Sequence, residues 1–378
     1  MGSKINRVPD ITSRSADTEG LAGIAYIPHI GWLRHAPGEE VISLLRQGYF
    51  EASEQAFYWL YLRPGNTFID CGAHIGLYSI IADRVTGGAA RVIAVEPSGP
   101  TADHLEFNLK QNGVKDALII RSAIWMTVGH NQFIDEGEGR AAYAHVAFDE
   151  DVVGASVPTV TLDQIVSESG GKEIALVKID VEGAEPEALK GGQHAIEREV
   201  LPVLMMEFTE HNLRRRGLST ENLVKQLQDL NYILCEFSPE SLELTPFSSQ
   251  GPIWFKNLFA CRDLEQVNAR LRLASEGNKI IARDILDRAA ACSRFKELEE
   301  LDQYRSRANE ADGFRQWAER TEQMLTAEKE VSVELRAWAE NAEARVMRAQ
   351  HELQPLRAFA KRLSWLYKLF EKLGMHRD

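Results

Sequence analysis

The stretch Phe68-Ile69-Asp70-Cys71-Gly72-Ala73-His74-Ile75-Gly76 decides the fold of the chain. An apolar run ends in an acid, a glycine follows, and a second glycine stands where a helix can start. Because they lack side chains, Gly72 and Gly76 let a ligand approach the backbone closely, and the new helix offers free N–H groups to it. The pattern predicts a strand, a tight turn and a helix that together bind a ligand.

The spacing of the glycines narrows the class of ligand. Counting from Gly72, the later glycine positions of a dinucleotide fingerprint hold His74 and Leu77, and no phosphate-loop lysine follows. The pattern D-x-G-x-x-x-G, with Glu96 at the end of the next predicted strand, is instead typical of methyltransferases that use S-adenosylmethionine. A carboxylate at that strand tip can accept hydrogen bonds from both ribose hydroxyls. The predicted cofactor-binding residues are Asp70, Gly72, His74, Gly76 and Glu96.

Outward from this stretch, β-rich runs alternate with amphipathic or turn-rich segments between residues 24 and 261. Several runs are nearly all apolar, as expected of strands that helices cover on both faces. We therefore predict an α/β domain with a doubly wound, mostly parallel sheet of seven strands and helices on both faces. The predicted strands are 67–70, 91–96, 117–121, 175–180, 203–208, 232–237 and 256–261, and the predicted helices are 76–85, 98–112, 185–198 and 220–230.

The composition is that of a folded protein. Of its 378 residues, 44% are hydrophobic and 26% charged, and the formal net charge is −13. Because each neutralised phosphate needs a Lys or Arg, this acidity argues against nucleic acid as a partner. The four cysteines form no close pair, and no uncharged apolar run is long enough to span a membrane. We therefore predict a cytoplasmic protein without a signal peptide.

The chain changes character after about Arg262, where Ala, Glu, Arg and Gln dominate and Pro355 is the one proline. An imperfect heptad seam runs through this part, and residues 315–322 recur in similar form at 336–343, three heptads later. The predicted organisation is a flexible tail at 1–22, an α/β domain at 23–262, a helical linker at 263–294, a coiled coil at 295–354 and a basic amphipathic helix at 355–378.

The helical tail also predicts partners. A self-associating coiled coil implies a homo-oligomer, and the alternative is a long helix that folds back on the globular domain. The segment 355–378 has basic residues beside an apolar helical face, so it can lie on an anionic membrane surface at the inner face of the membrane. The alternative for this segment is the end of a bundle with a solvated face.

Several separated motifs between about Val41 and Arg262 resemble the FkbM family of methyltransferases. The motifs are residues 62–79 around the glycine turn, Val95-Glu96-Pro97, Leu105-x-x-Asn108-x-x-x-Asn112, Val160-Thr161-Leu162-Asp163, and the run VKIDVEGAEPEALKG at 177–191. The last two are the more diagnostic, because most methyltransferases of this fold share the first. The resemblance implies a Rossmann-like class I methyltransferase that acts mainly on hydroxyl oxygens, often of sugars or polyketides. His74 stands where many relatives carry Asn.

The acids that follow the strand predicted at 175–180 are candidates for the transfer chemistry. A sulfonium methyl is already activated, so the enzyme needs an in-line acceptor oxygen and a group that takes its proton. We expect Asp180 beside the sulfonium and Glu182 at the acceptor hydroxyl or fixing the loop. Glu207 is a further candidate at a neighbouring strand tip. The alternative is a structural charge cluster that caps the helix starting at Glu185 and consists of Lys178, Asp180, Glu182 and Glu185.

Three more assignments concern the rest of the site. Ser122 follows the strand predicted at 117–121, where this fold commonly meets adenine, and joins the cofactor-binding residues. The acids of the transfer site offer oxygen ligands that suit magnesium, but ordinary strand-tip acids are the more frequent case, so no metal is predicted. The acceptor pocket is expected from the loops at 129–156 and 236–252, and neither contains a motif that identifies the acceptor.

These observations predict an S-adenosylmethionine-dependent O-methyltransferase whose acceptor is a hydroxyl-bearing small molecule or glycan. Two alternatives stay open. The first is methylation of nucleic acid or protein on the same fold, against which the negative charge of the domain counts. The second is a coiled-coil scaffold with a silent methyltransferase fold, against which the intact glycine turn and Glu96 count.

Overall fold

A computed structural model describes residues 23–48, 50–134, 144–146, 154–249 and 251–307, with side chains described up to residue 293. The chain divides into two compact units, of which the first, Thr18–Cys292, contains every described strand. The second unit comprises residues 1–17 and 293–378, and only helix backbone as far as Arg307 is described in it. The predicted tail at 1–22, most of the predicted coiled coil at 295–354 and the predicted amphipathic helix at 355–378 lie outside the described residues.

The described elements alternate as the sequence predicts, with short additional ones. The strands are β1 (Gly23–Ile27), β2 (Gly31–His35), β3 (Thr67–Cys71), β4 (Arg91–Val95), β5 (Ala117–Ile120), β6 (Ala123–Ile124), β7 (Gly129–Ile134), β8 (His145–Val146), β9 (Ala155–Val160), β10 (Ile174–Ile179), β11 (Val203–Thr209), β12 (Ile233–Ser238), β13 (Glu243–Pro246) and β14 (Phe255–Cys261). The helices are α1 (Glu40–Gln47), α2 (Ala52–Tyr61), α3 (Leu77–Val85), α4 (Gly99–Gln111), α5 (Leu162–Ser167), α6 (Glu185–Gly191), α7 (Gln193–Glu197), α8 (Glu210–Arg214), α9 (Thr220–Asp229), α10 (Leu264–Arg272) and α11 (Glu276–Arg307).

The main sheet has the strand order β13-β12-β14-β11-β10-β3-β4-β5. Its five strands from β11 to β5 pair in parallel, and β14 runs antiparallel to both of its neighbours. This is a Rossmann-like sheet, and all seven predicted strands are found in it. The predicted count of seven is one too low, because β13 folds back on β12 as an antiparallel edge strand.

The central strands are buried on both faces, as their apolar sequences predict. Neighbouring residues of β3 show this, since Phe68 packs in one hydrophobic cluster with α2 and α3 while Ile69 packs in the other with α6 and α9. Each fully buried side chain of this size contributes roughly 1.5–3 kcal/mol to folding. The sheet is therefore rigid at its centre, and the residues that follow its strands are held in fixed positions.

Helix α10 and the first turns of α11 pack against the same core. Leu271 of α10 and Ile285 of α11 belong to the hydrophobic cluster that contains α2. The side-chain amide of Asn268 accepts a hydrogen bond from the backbone N–H of Leu244 in β13 at 2.8 Å and donates one to its carbonyl oxygen at 2.9 Å. The segment predicted as a linker at 263–294 thus completes one face of the domain. Among the described residues, no helix is long and apolar enough to cross a membrane.

Three local expectations are wrong. The loop expected at 129–156 contains β7 and β8, which join β6 and β9 in a second, four-stranded sheet; the polar sequence of β7 hides it, because it lacks apolar alternation. The loop expected at 236–252 contains β13 and the end of β12. The helix expected at 185–198 breaks into α6 and α7 at Gly192, whose φ of −108° lies outside the α-helical region.

Candidate active site

A cavity of about 440 Å³ opens at the carboxyl edge of the parallel strands. The residues that follow parallel strands meet at one edge of a sheet, which is where open α/β folds bind ligands. The walls come from the ends of β3, β4, β10 and β11, from the segment around α1 and α2, and from the second sheet. The volume lies within the range of small-molecule sites in proteins, which is roughly 300–1,000 Å³.

The turn after β3 forms one wall of this cavity. Gly72 has a φ of +77°, and a Cβ at this position would lie 1.8 Å from the carbonyl oxygen of Asp180. The backbone N–H groups of Gly72 and Ala73 both donate to the carbonyl oxygen of Val95 at 3.0 Å. Only glycine therefore fits at a point where the turns after β3 and β10 touch, and the same bend lines the cavity.

Glu96 closes the bend from the end of β4. Its Oε2 accepts a hydrogen bond from the backbone N–H of His74, and its Oε1 accepts one from that of Ser98, both at 2.9 Å. The carboxylate is 6% exposed, and burial raises its pKa although His74 and the two N–H donors lower it. An ionised carboxylate has about four acceptor positions, so two are left for hydroxyl groups of a ligand.

The other predicted cofactor residues divide into two groups. His74 and Ser122 line the cavity beside Glu96. Asp70 lies behind the bend, where its Oδ2 accepts a hydrogen bond from the Ser79 hydroxyl at 2.7 Å and its Oδ1 has no partner among the described residues. Gly76 starts α3 with a φ of +92°, and a Cβ there would meet Leu105 of α4 at 2.8 Å. The geometry gives Asp70 and Gly76 positions that support the turn, and they do not line the cavity.

His74 is held by acids on both sides. Its Nε2 lies 3.5 Å from Glu39 Oε2, and Glu39 is 6% exposed. Burial lowers the pKa of His74, but the two acids Glu39 and Glu96 outweigh burial, so its pKa lies above the usual value. The imidazole therefore tends to stay protonated and to counter part of the negative charge of this wall.

A buried lysine stands between the glycine turn and the predicted acids. Lys178 Nζ lies 2.8 Å from Asp180 Oδ2 and donates to the carbonyl oxygen of Gly72 at 3.4 Å, and the whole residue is 4% exposed. Burial lowers its pKa, but the fields of Asp180, Asp70 and Glu51 raise it further, so the amine carries its charge. Lys178 therefore fixes the position of Asp180.

All three predicted transfer residues reach the cavity. Single ligand atoms of Asp180, Glu182 and Glu207 all lie within 4.8 Å of one another. Glu182 has a φ of +52°, and its Oε2 accepts a hydrogen bond from Asn212 Nδ2 at 2.7 Å. Glu207, on β11, is 8% exposed, and its Oε2 has no partner among the described residues. We call these three carboxylates the acidic cluster.

Burial and mutual repulsion both raise pKa values in the acidic cluster. Burial, then Asp180 and Glu185, raises the pKa of Glu182 to about 8. Burial, then Asp180 and Glu182, raises the pKa of Glu207 well above its usual value. Such shifts concentrate where proteins perform chemistry.

Glu185 holds the turn that carries the acidic cluster. Its Oε1 accepts hydrogen bonds from the backbone N–H groups of Val181 and Gly183, at 3.2 and 3.1 Å. The residue is 2% exposed, and burial raises its pKa to about 7. Glu185 therefore has the structural role that the sequence offered as an alternative, because its carboxylate fixes the turn before the helix that it starts.

Sequence reasoning missed Lys178 as a site residue and the whole wall around α1 and α2. A signal for Lys178 existed, since a lysine inside the apolar run 174–179 is unusual for a strand covered on both faces. Glu51 gave no such signal. It reaches the cavity through hydrogen bonds from the Tyr78 hydroxyl and from Asn257, both at 2.6 Å, and Asn257 is 206 residues away in sequence.

The cavity fits S-adenosylmethionine on three observations. The bend at Gly72 has no room for a side chain, the Glu96 carboxylate keeps acceptor positions for two ribose hydroxyls, and the lining is acidic. Of the described lining residues, seven are acids, against one lysine and one histidine. This negative field favours a ligand that carries a positive sulfonium. The seven acids are Glu39, Glu40, Glu51, Glu96, Asp180, Glu182 and Glu207.

Comparison with solved structures finds methyltransferases at low similarity. A precorrin-6Y C5,15-methyltransferase from Geobacter metallireducens GS-15 is 13% identical, with a TM-score of 0.31 over 56% of this chain and 87% of that chain. An S-adenosylmethionine-dependent O-methyltransferase from Thermotoga maritima is 18% identical, with a TM-score of 0.31 over 57% and 65%. An S-adenosylmethionine-dependent methyltransferase from Aquifex aeolicus is 12% identical, with a TM-score of 0.34 over 59% and 97%. Likenesses this remote carry no argument about activity.

The sequence comparison is more direct. No curated protein matches the chain. Residues 70–234 match the model of the methyltransferase FkbM domain, and this range begins at the acid before the glycine turn and includes Glu96 and the acidic cluster. The site geometry and this match support an S-adenosylmethionine-dependent methyltransferase that is similar to the FkbM domain over residues 70–234.

Proposed function

We propose that the chain transfers the methyl group of S-adenosylmethionine to a hydroxyl oxygen of a sugar or a glycan. The observation that carries the proposal is the single cavity that joins Glu96 and the glycine bend to the acidic cluster. The first part suits the ribose of the donor. The second part lies where a hydroxyl acceptor must lose a proton.

The proposed reaction needs only positioning and a proton acceptor. The acceptor oxygen forms a bond to the methyl carbon while the carbon–sulfur bond breaks, and that electron pair stays on the sulfur of S-adenosylhomocysteine. The hydroxyl proton passes to a carboxylate of the acidic cluster, where the pKa of Glu182, raised to about 8, suits a proton acceptor near neutral pH. Lys178 holds Asp180 in place through their 2.8 Å ion pair.

Exposed aromatic side chains support a sugar acceptor. Phe255, which lines the cavity, is 67% exposed, and the adjacent Trp254 is 66% exposed and lies against the guanidinium of Arg214. Large exposed apolar groups at the rim of a cavity usually mark a binding surface, and flat aromatic faces pack well against the C–H faces of sugar rings. These residues lie just after the loop from which the sequence predicted acceptor contacts.

Calorimetry with S-adenosylhomocysteine tests the donor half of the proposal. We expect binding of one molecule per chain, and at least about tenfold weaker binding in Glu96→Ala, because charge-assisted hydrogen bonds contribute roughly 1.5–3 kcal/mol each. Glu106→Ala is the matched control, since Glu106 is an exposed acid on α4 that pairs with Arg121 outside the cavity. Absence of binding to the folded wild-type chain would refute the enzyme and favour the scaffold.

A transfer screen tests the acceptor half. S-adenosylmethionine with a tritiated methyl group is incubated with the full chain and, in parallel, with nucleotide sugars, lipid-linked glycans, RNA and protein extract. We expect label in a sugar-containing fraction, in an ether that resists mild alkali. Label confined to RNA or protein would refute the proposed acceptor and establish the alternative class.

The remaining expectations concern location and assembly. We propose a cytoplasmic enzyme, in keeping with the four cysteines, which form no disulfide with one another. The homo-oligomer through residues 295–354 and the membrane contact through 355–378 stay predictions from the sequence. Size-exclusion chromatography with light scattering, on the full chain and on a chain ending at residue 292, tests the first. Flotation with anionic vesicles tests the second.

A further inference from the structure

Among the described residues, the acidic cluster has three carboxyl groups and one neighbouring cation. Lys178 pairs with Asp180, but among the described residues neither Glu182 nor Glu207 forms an ion pair. Asp180 Oδ2 accepts a hydrogen bond from Lys178, and Glu182 Oε2 accepts one from Asn212. Glu207 Oε2 has no partner among the described residues. Two carboxylates are therefore left without a cation.

We propose that Asp180, Glu182 and Glu207 bind a divalent cation that prefers oxygen ligands. The geometry suits this class of ion. Two oxygens bound to one Ca²⁺ can lie up to about 5 Å apart, and two bound to one Mg²⁺ up to about 4.2 Å. The three ligand atoms lie within 4.8 Å of one another, which is close to the span of a Ca²⁺ site, and small side-chain rotations bring them within the span of a Mg²⁺ site.

The second observation is the state of Glu207. More than nine-tenths of this residue is buried, it lines the cavity, and its Oε2 makes no hydrogen bond within the described chain. A buried carboxylate oxygen without a partner destabilises the folded chain unless a ligand or a cation completes it. A divalent ion would supply the cation that Glu182 and Glu207 lack, and it leaves the Lys178–Asp180 pair intact.

The cavity leaves room for such an ion to contact a substrate. The protein supplies three ligands from two strand ends, so positions on the cation stay open to water or to an acceptor oxygen. A hydroxyl bound there loses its proton more readily. This role in catalysis rests on the proposed function, whereas the binding of the ion does not.

The test is a titration of the full chain with Mn²⁺, followed by electron paramagnetic resonance of the free ion, in the absence of any methyl donor. We expect one site per chain whose Mn²⁺ is displaced by Mg²⁺ or Ca²⁺. Glu207→Gln and Glu182→Gln should each weaken binding at least tenfold, because each removes one charged ligand. Glu240→Gln should change it less than twofold, since Glu240 lies in an exposed turn, where it accepts a hydrogen bond from the Ser238 hydroxyl, and does not line the cavity.

Thermal unfolding, with and without Mn²⁺, separates a lost ligand from a misfolded variant. In EDTA, Glu207→Gln should be at least as stable as the wild type, because a buried neutral amide repels no neighbouring carboxylate. Added Mn²⁺ should raise the Tm of the wild type and of Glu240→Gln, and leave that of Glu207→Gln unchanged. Absence of Mn²⁺ binding in the millimolar range, or binding that both cluster variants retain within twofold, would overturn the proposal.

Calorimetry with S-adenosylhomocysteine in EDTA keeps this result apart from the proposed function. Donor binding without Mn²⁺ binding would refute the metal site and leave the methyltransferase standing. Mn²⁺ binding that depends on Glu207, in a chain that binds no donor, would establish the metal site and refute the proposed function.

Discussion

The substitution Gly72→Ala tests whether the contact between two turns builds the active site. A Cβ at this position would lie 1.8 Å from the carbonyl oxygen of Asp180 and 3.0 Å from its carbonyl carbon. Ordinary van der Waals contact begins at about 3.4 Å, so one of the two turns must move by about 1.6 Å. The obstacle is backbone, which cannot rotate away as the end of a flexible side chain can.

Gly65→Ala is a matched control because it shares the conformation without the contact. Gly65 has a φ of +87°, close to the +77° of Gly72, and a Cβ there would meet nothing within 4 Å. A non-glycine residue in this region costs about 1–2 kcal/mol, which is the expected effect of Gly65→Ala on the free energy of unfolding. Overpacking adds about 1–3 kcal/mol, so Gly72→Ala should cost about 2–5 kcal/mol.

Urea unfolding followed by circular dichroism measures the loss of stability in the two variants. Calorimetry with S-adenosylhomocysteine measures their affinity for the donor site. A shift of 1.6 Å exceeds the tolerance of a hydrogen bond, so either the contact of His74 with Glu96 or the position of Asp180 is lost in Gly72→Ala. We expect at least about tenfold weaker donor binding, and unchanged binding in Gly65→Ala. Equal costs for the two variants, together with equal donor affinity, would refute the reasoning that this contact fixes the bend.

Two further predictions concern buried charge. Lys178→Met should lower the free energy of unfolding by about 3–5 kcal/mol, because it leaves the carboxylate of Asp180 without its cation. The double variant Lys178→Met/Asp180→Asn should recover part of this loss in urea unfolding. Absence of any recovery would contradict the pairing. Burial, and then Glu51, raises the pKa of Glu54 to about 8. The folded chain therefore keeps a proton that the unfolded chain releases near pH 4.5, so stability is full below that pH and falls as the pH rises to about 8. Glu54→Gln should flatten this part of the stability profile, and parallel profiles for variant and wild type would contradict the assignment.

The sheet was predictable because parallel strands covered on both faces leave a strong signal. Their sequences are continuous apolar runs, and all seven such runs form strands of the main sheet. The edge strand β13 was missed because half-buried edge strands are short and polar. The second sheet was missed for a similar reason, since β7 reads GHNQFI and shows no alternation. Local patterns thus indicate elements that are buried on both sides and overlook those at the surface.

The part of the site that is formed by segments close together in the sequence was predictable. The glycine turn and Glu96 belong to adjacent βα units, and the short crossover brings them together at 2.9 Å. Glu51 shows the opposite case. It has an unusual φ of +45° and meets Asn257 from the far end of the domain, and no local pattern specifies such a pair. Likewise, the sequence explained Gly72 by the close approach of a ligand to the backbone. In the structure, the backbone of Asp180 is what leaves no room for a side chain at Gly72. This contact depends on β3 lying next to β10 in the sheet, which no local pattern specifies.

The acidic cluster shows where the chain departs from what stability alone would favour. Folded proteins pair their buried charges, and two buried acids elsewhere in this domain show this, since Glu187 pairs with Arg216 and Glu210 with Arg214. At the ends of β10 and β11, by contrast, Glu182 and Glu207 lie close together with one lysine nearby that is already bound to Asp180. Such local conflict is expected at functional sites, because a ligand completes them. An amide at Glu207 should therefore stabilise the ligand-free chain and impair what the cavity does, and this opposition of signs distinguishes a binding site from a structural charge network.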